Sequence, residues 1–196
     1  MGRKTPPNVR RRALTSVGTL AAVATLGLWS ATPAAAAGPL ANGDFESPVA
    51  PNGQEVGEGQ ATRIIGPWQV SGGNVDLVPA SYWQAASGNQ SLDLNGNQSG
   101  TIEQIFSTVP GTTYTVTYAL AGNPDGPPTL KTGRVLIDGA DAHDFAFNVF
   151  GHTRGSMGYV TQSFVFRATL PQTTLTFEST HPGDFGPVID NVTITS

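Results

Sequence analysis

The chain has 196 residues, no cysteine and a formal net charge of −4. Without thiols it has neither a disulfide framework nor a cysteine-ligated metal centre. All 14 acids lie after residue 37 with only five cations beside them, so that part stands at −9, and nucleic acid is not an expected partner of such a surface.

The first segment reads as an export signal. Arg3, Lys4, Arg10, Arg11 and Arg12 precede an apolar run over 13–29, and the small residues of 31–37 supply a cleavage site. The apolar run is shorter than the roughly 20 residues a membrane span needs, so residues 1–37 are expected to be removed and no membrane association is expected afterwards. Arg11-Arg12-Ala13-Leu14 lacks the bulkier apolar pair of a strong twin-arginine signal, which favours general secretion. The expected location is secreted, extracellular.

Residues 38–196 make one domain. A chain of about 160 residues buries roughly 70% of its unfolded surface, enough for a core of its own. Asn42-Gly-Asp-Phe-Glu-Ser-Pro48 opens this part and Gly186-Pro-Val-Ile-Asp-Asn-Val192 closes it. Pairing the two as first and last strands would bring Glu46 and Asp190 together. With carbonyls of the Gly43 turn they could hold a structural calcium, an ion that takes six to eight oxygens. The other reading is that both carboxylates only accept backbone hydrogen bonds in turns.

Between these ends, apolar and polar residues alternate at period two. Tyr114, Val116, Tyr118 and Leu120 share one face; Phe164 with Phe166, Leu175 with Phe177, and Val192 with Ile194 repeat the pattern. Turn formers at Pro110-Gly111, Asp125-Gly126, Asp138-Gly139 and Pro182-Gly183 punctuate the runs. The count is nine to eleven strands, and the expected fold is an all-β sandwich or jelly roll. Longer loops fall at 50–61, 122–130, 150–158 and 181–187, and in sandwiches such loops gather at the ends, where ligands are met.

Catalytic signatures are weak. There is no Gly-x-Ser-x-Gly elbow and no His-Glu-x-x-His helix, and His152 near Ser156 reads as a pair of surface loop residues. Asp93-Leu-Asn-Gly-Asn-Gln-Ser99 resembles the start of a calcium loop, but Gln98 stands where glycine is required and Gln104 where glutamate is. The segment reads better as a strand end, with Leu92 and Leu94 inward and Asp93 on the opposite face. Trp68, among Ile64, Ile65 and Val70, reads as core. Tyr82 and Trp83 lie between two strands and suit a sugar platform, because sugars combine apolar C–H faces with polar rims. Three asparagine glycosylation patterns (Asn89, Asn97, Asn191) read as chance matches beside a bacterial-looking signal.

The ordered succession Asn42-Gly-Asp-Phe-Glu46, Gly66-Pro-Trp68, Tyr82-Trp83, Gly88-Asn-Gln-Ser-Leu-Asp-Leu-Asn-Gly96, Ala121-Gly-Asn-Pro-Asp125 and Gly186-Pro-Val-Ile-Asp190 resembles the bacterial choice-of-anchor C family. That family is similar to the plant cell-wall proteins of the domain of unknown function 642 family. The resemblance implies a galactose-binding-like jelly-roll β-sandwich and polysaccharide binding. It also implies calcium held by Glu46 and Asp190, the positions that carry it in related carbohydrate-binding modules. No anchoring tail follows the last strand, so free secretion is expected.

The reading is a secreted, non-catalytic, monomeric carbohydrate-binding module. Its expected ligand residues are Tyr82, Trp83, Asn123, Asp125, His152 and Arg154, and its expected calcium ligands Gly43, Glu46 and Asp190. An extracellular protein-interaction scaffold and a small glycoside hydrolase stay open as alternatives.

Overall fold

The computed structural model of the protein describes residues 1, 2 and 38–196; the expected export signal lies outside the described residues. The described residues contain no helix. Twelve strands run β1 Gln54–Gly57, β2 Ile64–Ile65, β3 Trp68–Gly72, β4 Asn74–Pro79, β5 Gln90–Asp93, β6 Thr101–Ser107, β7 Thr113–Gly122, β8 Leu130–Ile137, β9 Ala140–Asn148, β10 Val160–Arg167, β11 Gln172–Ser179 and β12 Pro187–Thr195. The count exceeds the expected nine to eleven because strands as short as β1 and β2 carry too few residues to show alternation.

All pairings are antiparallel and make two six-stranded sheets, ordered β1-β4-β5-β12-β7-β10 and β2-β3-β6-β11-β8-β9. Taking β5–β12 as a set of eight, the first sheet holds the first, eighth, third and sixth, and the second sheet holds the second, seventh, fourth and fifth. That order is the double Greek key of a jelly roll. β1–β4 extend both sheets on one side.

Alternation places the core between the sheets. Val116, Tyr118 and Leu120 of β7 face Leu175 and Phe177 of β11, and all are fully buried. Trp68 lies between Phe45 and Phe177, with ring centroids 5.6 and 6.2 Å away, and its indole N–H donates to the Asn42 carbonyl at 3.0 Å. The expected core role of Trp68 is therefore met, and the indole N–H is satisfied inside it.

The opening segment departs from expectation. Residues 42–48 form a turn, and the neighbours of β12 in its sheet are β5 and β7. Asn42 closes the turn on itself: its side-chain oxygen accepts from the Ser47 N–H at 2.9 Å and its amide donates to the Ser47 carbonyl at 2.7 Å. The segment still touches the last strand. A register shift in β12 between Asp190 and Thr193 sets Asn191 at a φ of 50°, and the Val192 N–H donates to the Gly43 carbonyl at 2.7 Å. Glycine at 43 is required by that approach, since a Cβ there would lie 2.0 Å from the Val192 carbonyl oxygen.

Candidate functional site: a cleft on the first sheet

The outward face of the first sheet follows from β-strand alternation. Leu77, Leu92 and Ile189 point into the core, so Asp76, Asp93, Val188 and Asp190 point away from it. Glu55 pairs with Asp76 and Asp76 with Asp93, setting three carboxylates in a row across β1, β4 and β5. A cleft of about 620 Å³ opens above this row.

Loops complete the walls. Pro51 to Gln54 come from the 50–61 loop, Asn123 and Asp125 from the 122–130 loop, Asp184 and Phe185 from the 181–187 loop, and Tyr82 and Trp83 from the β4–β5 connection. The fourth long loop, 150–158, joins through Arg154, whose guanidinium donates to Asp125 at 2.8 and 2.9 Å and to the Tyr82 hydroxyl at 2.6 Å. Tyr82 in turn donates to Asp125 at 2.8 Å, and the guanidinium carbon stands 4.0 Å from the Tyr82 ring centroid. Asn123 holds the base of this group: its amide donates to Asp93 at 2.8 Å and its oxygen accepts from the Asp125 N–H at 3.0 Å.

Four of the six expected ligand residues thus meet: Tyr82, Asn123, Asp125 and Arg154. Two do not serve as expected. Trp83 is only 3% exposed; its indole N–H donates to Ser91 at 2.9 Å and its ring meets Tyr82 edge-on at 5.6 Å, so it backs the wall and offers no open platform. His152 lies apart from the cleft, its ring 5.1 Å from that of Phe147. Tyr82, at 46% exposure, supplies the cleft's exposed aromatic surface.

The carboxylates titrate differently. Burial raises the Asp76 carboxyl to about 6, with Glu55 and Asp184 adding to the effect. Burial raises Asp93 further, to about 8, against the pull of N–H donors from Asn95, Asn123 and Gly186. Burial also pushes Asp125 up, but bonds from Arg154 and Tyr82 more than offset this and hold it below the ordinary carboxylate range. Lys131 is fully buried beneath the loops, its ammonium donating to the carbonyls of Gly126 at 2.8 Å and Phe185 at 2.7 Å. Burial lowers its pKa.

The expected calcium ligands form a different structure. Glu46 and Asp190 converge on one segment, 86–90. Glu46 accepts the N–H groups of Asn89 at 2.7 Å and Gln90 at 2.9 Å; Asp190 accepts those of Ala86 at 2.9 Å, Ser87 at 2.8 Å and Asn191 at 2.6 Å. The Gly43 carbonyl is taken by Val192. Donors thus take Glu46 Oε1 and both Asp190 oxygens, while Glu46 Oε2 has only the Asn89 amide at 3.5 Å. One open carboxylate oxygen falls short of the six to eight oxygens calcium takes, so the set does not fit the ion. Among the described residues no cluster of three or more carboxylates or histidines is placed to hold a metal. Burial raises Asp190 to about 6, with its backbone bonds opposing and Glu46 adding.

The family described as "Protein of unknown function (DUF642)" matches residues 38–195. The chain belongs to this family. It is also 30% identical over 158 residues to Halomucin of Haloquadratum walsbyi, covering 78% of this chain and 2% of that protein's length. Among solved structures, the chain is similar to a family 35 carbohydrate-binding module from Clostridium thermocellum (15% identity, 66% of this chain and 88% of that one, TM-score 0.45). It is similar, too, to the CBM22-1 xylan-binding domain of Paenibacillus barcinonensis Xyn10C (15%, 65% and 83%, 0.49) and to TmCBM61 in complex with beta-1,4-galactotriose (13%, 81% and 97%, 0.49). For this DUF642 domain the jelly roll itself rests on the strand order given above.

Sequence reasoning missed Glu55, Asp76, Asp93, Asp184 and Phe185. Asp93 was legible as outward-facing, and Asp76 follows from the alternation of Asn74-Val-Asp-Leu-Val78. Their meeting depends on β1 and β4 lying beside β5, which no local pattern announces.

Proposed function

We propose that this DUF642 domain is an extracellular carbohydrate-binding module, exported by the segment 1–37 and acting without catalysis, with the cleft above β1, β4 and β5 as its binding site. The observation that carries this is the composition of the cleft. A half-exposed tyrosine stands beside an amide and a row of carboxylates, in an open groove large enough for a few sugar rings. Ring C–H faces can pack on Tyr82 while hydroxyls donate to the carboxylates. Arg154 and Asp125 fix the tyrosine, so little is lost in ordering it on binding.

One observation bears on the hydrolase alternative: Asp76 and Asp93 stand opposite each other. Glycoside hydrolysis needs two carboxyl groups flanking the scissile bond, about 5 to 9.5 Å apart. These two project from one floor, and Asp93 is 1% exposed with three N–H donors on it, so it cannot reach a glycosidic oxygen. Binding without turnover is the better reading.

The test is binding to a panel of soluble polysaccharides by affinity electrophoresis, repeated with Tyr82→Ala. We expect at least one ligand, retained intact, whose affinity falls about tenfold on loss of the ring. Ligands bound equally by the variant would move the site elsewhere, and release of reducing sugar would make the protein an enzyme.

A further inference from the structure

The carboxylates of the cleft differ in what already satisfies them, and that difference names a class of sugar. Granting that the cleft is the glycan site, the question is which glycan it selects.

Glu55 accepts from Gln60 and Asn74 at 2.7 Å and from Asn97 at 3.0 Å. Asp93 is enclosed by three N–H donors, and Asp125 is bound to Arg154 and Tyr82. Asp76 and Asp184 are the exceptions: no described residue donates a hydrogen bond to either carboxylate. Asp184 lies exposed on the 181–187 loop, while Asp76 sits half-buried at the centre of the row. Its neighbours Glu55 and Asp184 are carboxylates too. The nearby cations do not compensate it: Arg154 is committed to Asp125, and the Lys131 ammonium is turned toward two carbonyls.

A ligand entering the cleft therefore meets a carboxylate with its acceptor positions unfilled, in negative surroundings. A uronic acid or sulfated sugar would bring like charge to it. A neutral hydroxyl could donate a hydrogen bond but leave the charge in place. An ammonium group would donate and neutralise together, and charge-assisted bonds are roughly twice as strong as neutral ones. We propose that the cleft is selective for a polysaccharide bearing free amino groups, a glucosamine-type polymer whose ammonium lies against Asp76.

The experiment titrates the protein with glucosamine oligomers and their N-acetylated counterparts of equal length, with a polyuronate and with poly-lysine. Asp76→Asn and Tyr82→Ala are run beside it, each checked for folding by its unfolding midpoint. The amino form should bind about tenfold more tightly than the acetylated form, and in Asp76→Asn the two affinities should fall to within about twofold of each other. Poly-lysine binding as tight as the amino sugar would reduce the effect to bulk charge and overturn the inference. Equal binding of amino and acetylated forms, both lost in Tyr82→Ala, would overturn the amino preference and leave the carbohydrate reading standing. No binding by any glycan would remove both.

Discussion

Two places on one sheet gather acidic side chains, and they are built to opposite ends. At the clasp, Glu46 and Asp190 together accept five backbone N–H groups, four of them from the 86–90 segment. At the cleft, the Asp76 carboxylate accepts none from the described residues. The clasp meets three of its four carboxylate oxygens with backbone N–H groups, and so it fixes a loop. The cleft leaves an acceptor unmet beside an exposed ring, and an unmet buried or half-buried polar group is a standing cost that a ligand can relieve.

The largest expected effect breaks the clasp. Asp190→Ala leaves the part-buried N–H groups of Ala86 and Ser87 without their acceptor, and should cost about 1–2 kcal/mol in denaturant unfolding. Asp76→Asn, the matching change at the cleft, should be neutral or slightly stabilising, because it removes a charge nothing compensates. If both variants lose stability equally, the contrast between the two regions fails.

Next in size is the pH dependence. Burial raises Asp76 and Asp190 to about 6 and Asp93 to about 8. Each binds its proton more tightly folded than unfolded, so their combined contribution is fullest below the ordinary carboxylate range. It drains as pH rises through about 6 and then about 8. The melting temperature should accordingly fall between about pH 5 and about pH 8.5. Asp93→Asn should flatten the upper part of that fall, since its new amide no longer has to ionise; an unchanged slope would show that Asp93 is already charged at neutral pH.

The smallest expected effect is that of calcium. Glu46 and Asp190 hold the loop through N–H donors, so the melting temperature should be the same in chelator and in excess calcium. A clear rise would mean that the ion binds the folded state and stabilises it by mass action, and would restore the calcium site expected from the resemblance.

The sequence made the sandwich legible wherever strands were long enough to alternate: β7, β10, β11 and β12 follow the predicted faces, and Trp68 sits in the core as expected. It failed on the opening segment. Asn42 and Phe45 adopt φ values of 53° and 54°, so the chain turns where an extended strand was expected. Of the site, the loop residues Tyr82, Asn123, Asp125 and Arg154 were legible, because they fall in or beside turn-rich connections. Trp83 misled, since a large ring in a loop looks the same in sequence whether it faces solvent or backs against Ser91. The carboxylate floor was hidden for another reason: Glu55, Asp76 and Asp93 come together only through strand order, which depends on long-range pairing.

The most direct measurement is the position of an oligosaccharide in a crystal of its complex with this domain. The expected result is a sugar ring packed on Tyr82, with a polar group within hydrogen-bonding distance of the Asp76 carboxylate. A sugar seated instead on the loop carrying Phe150 and His152, with the cleft holding only water, would contradict it.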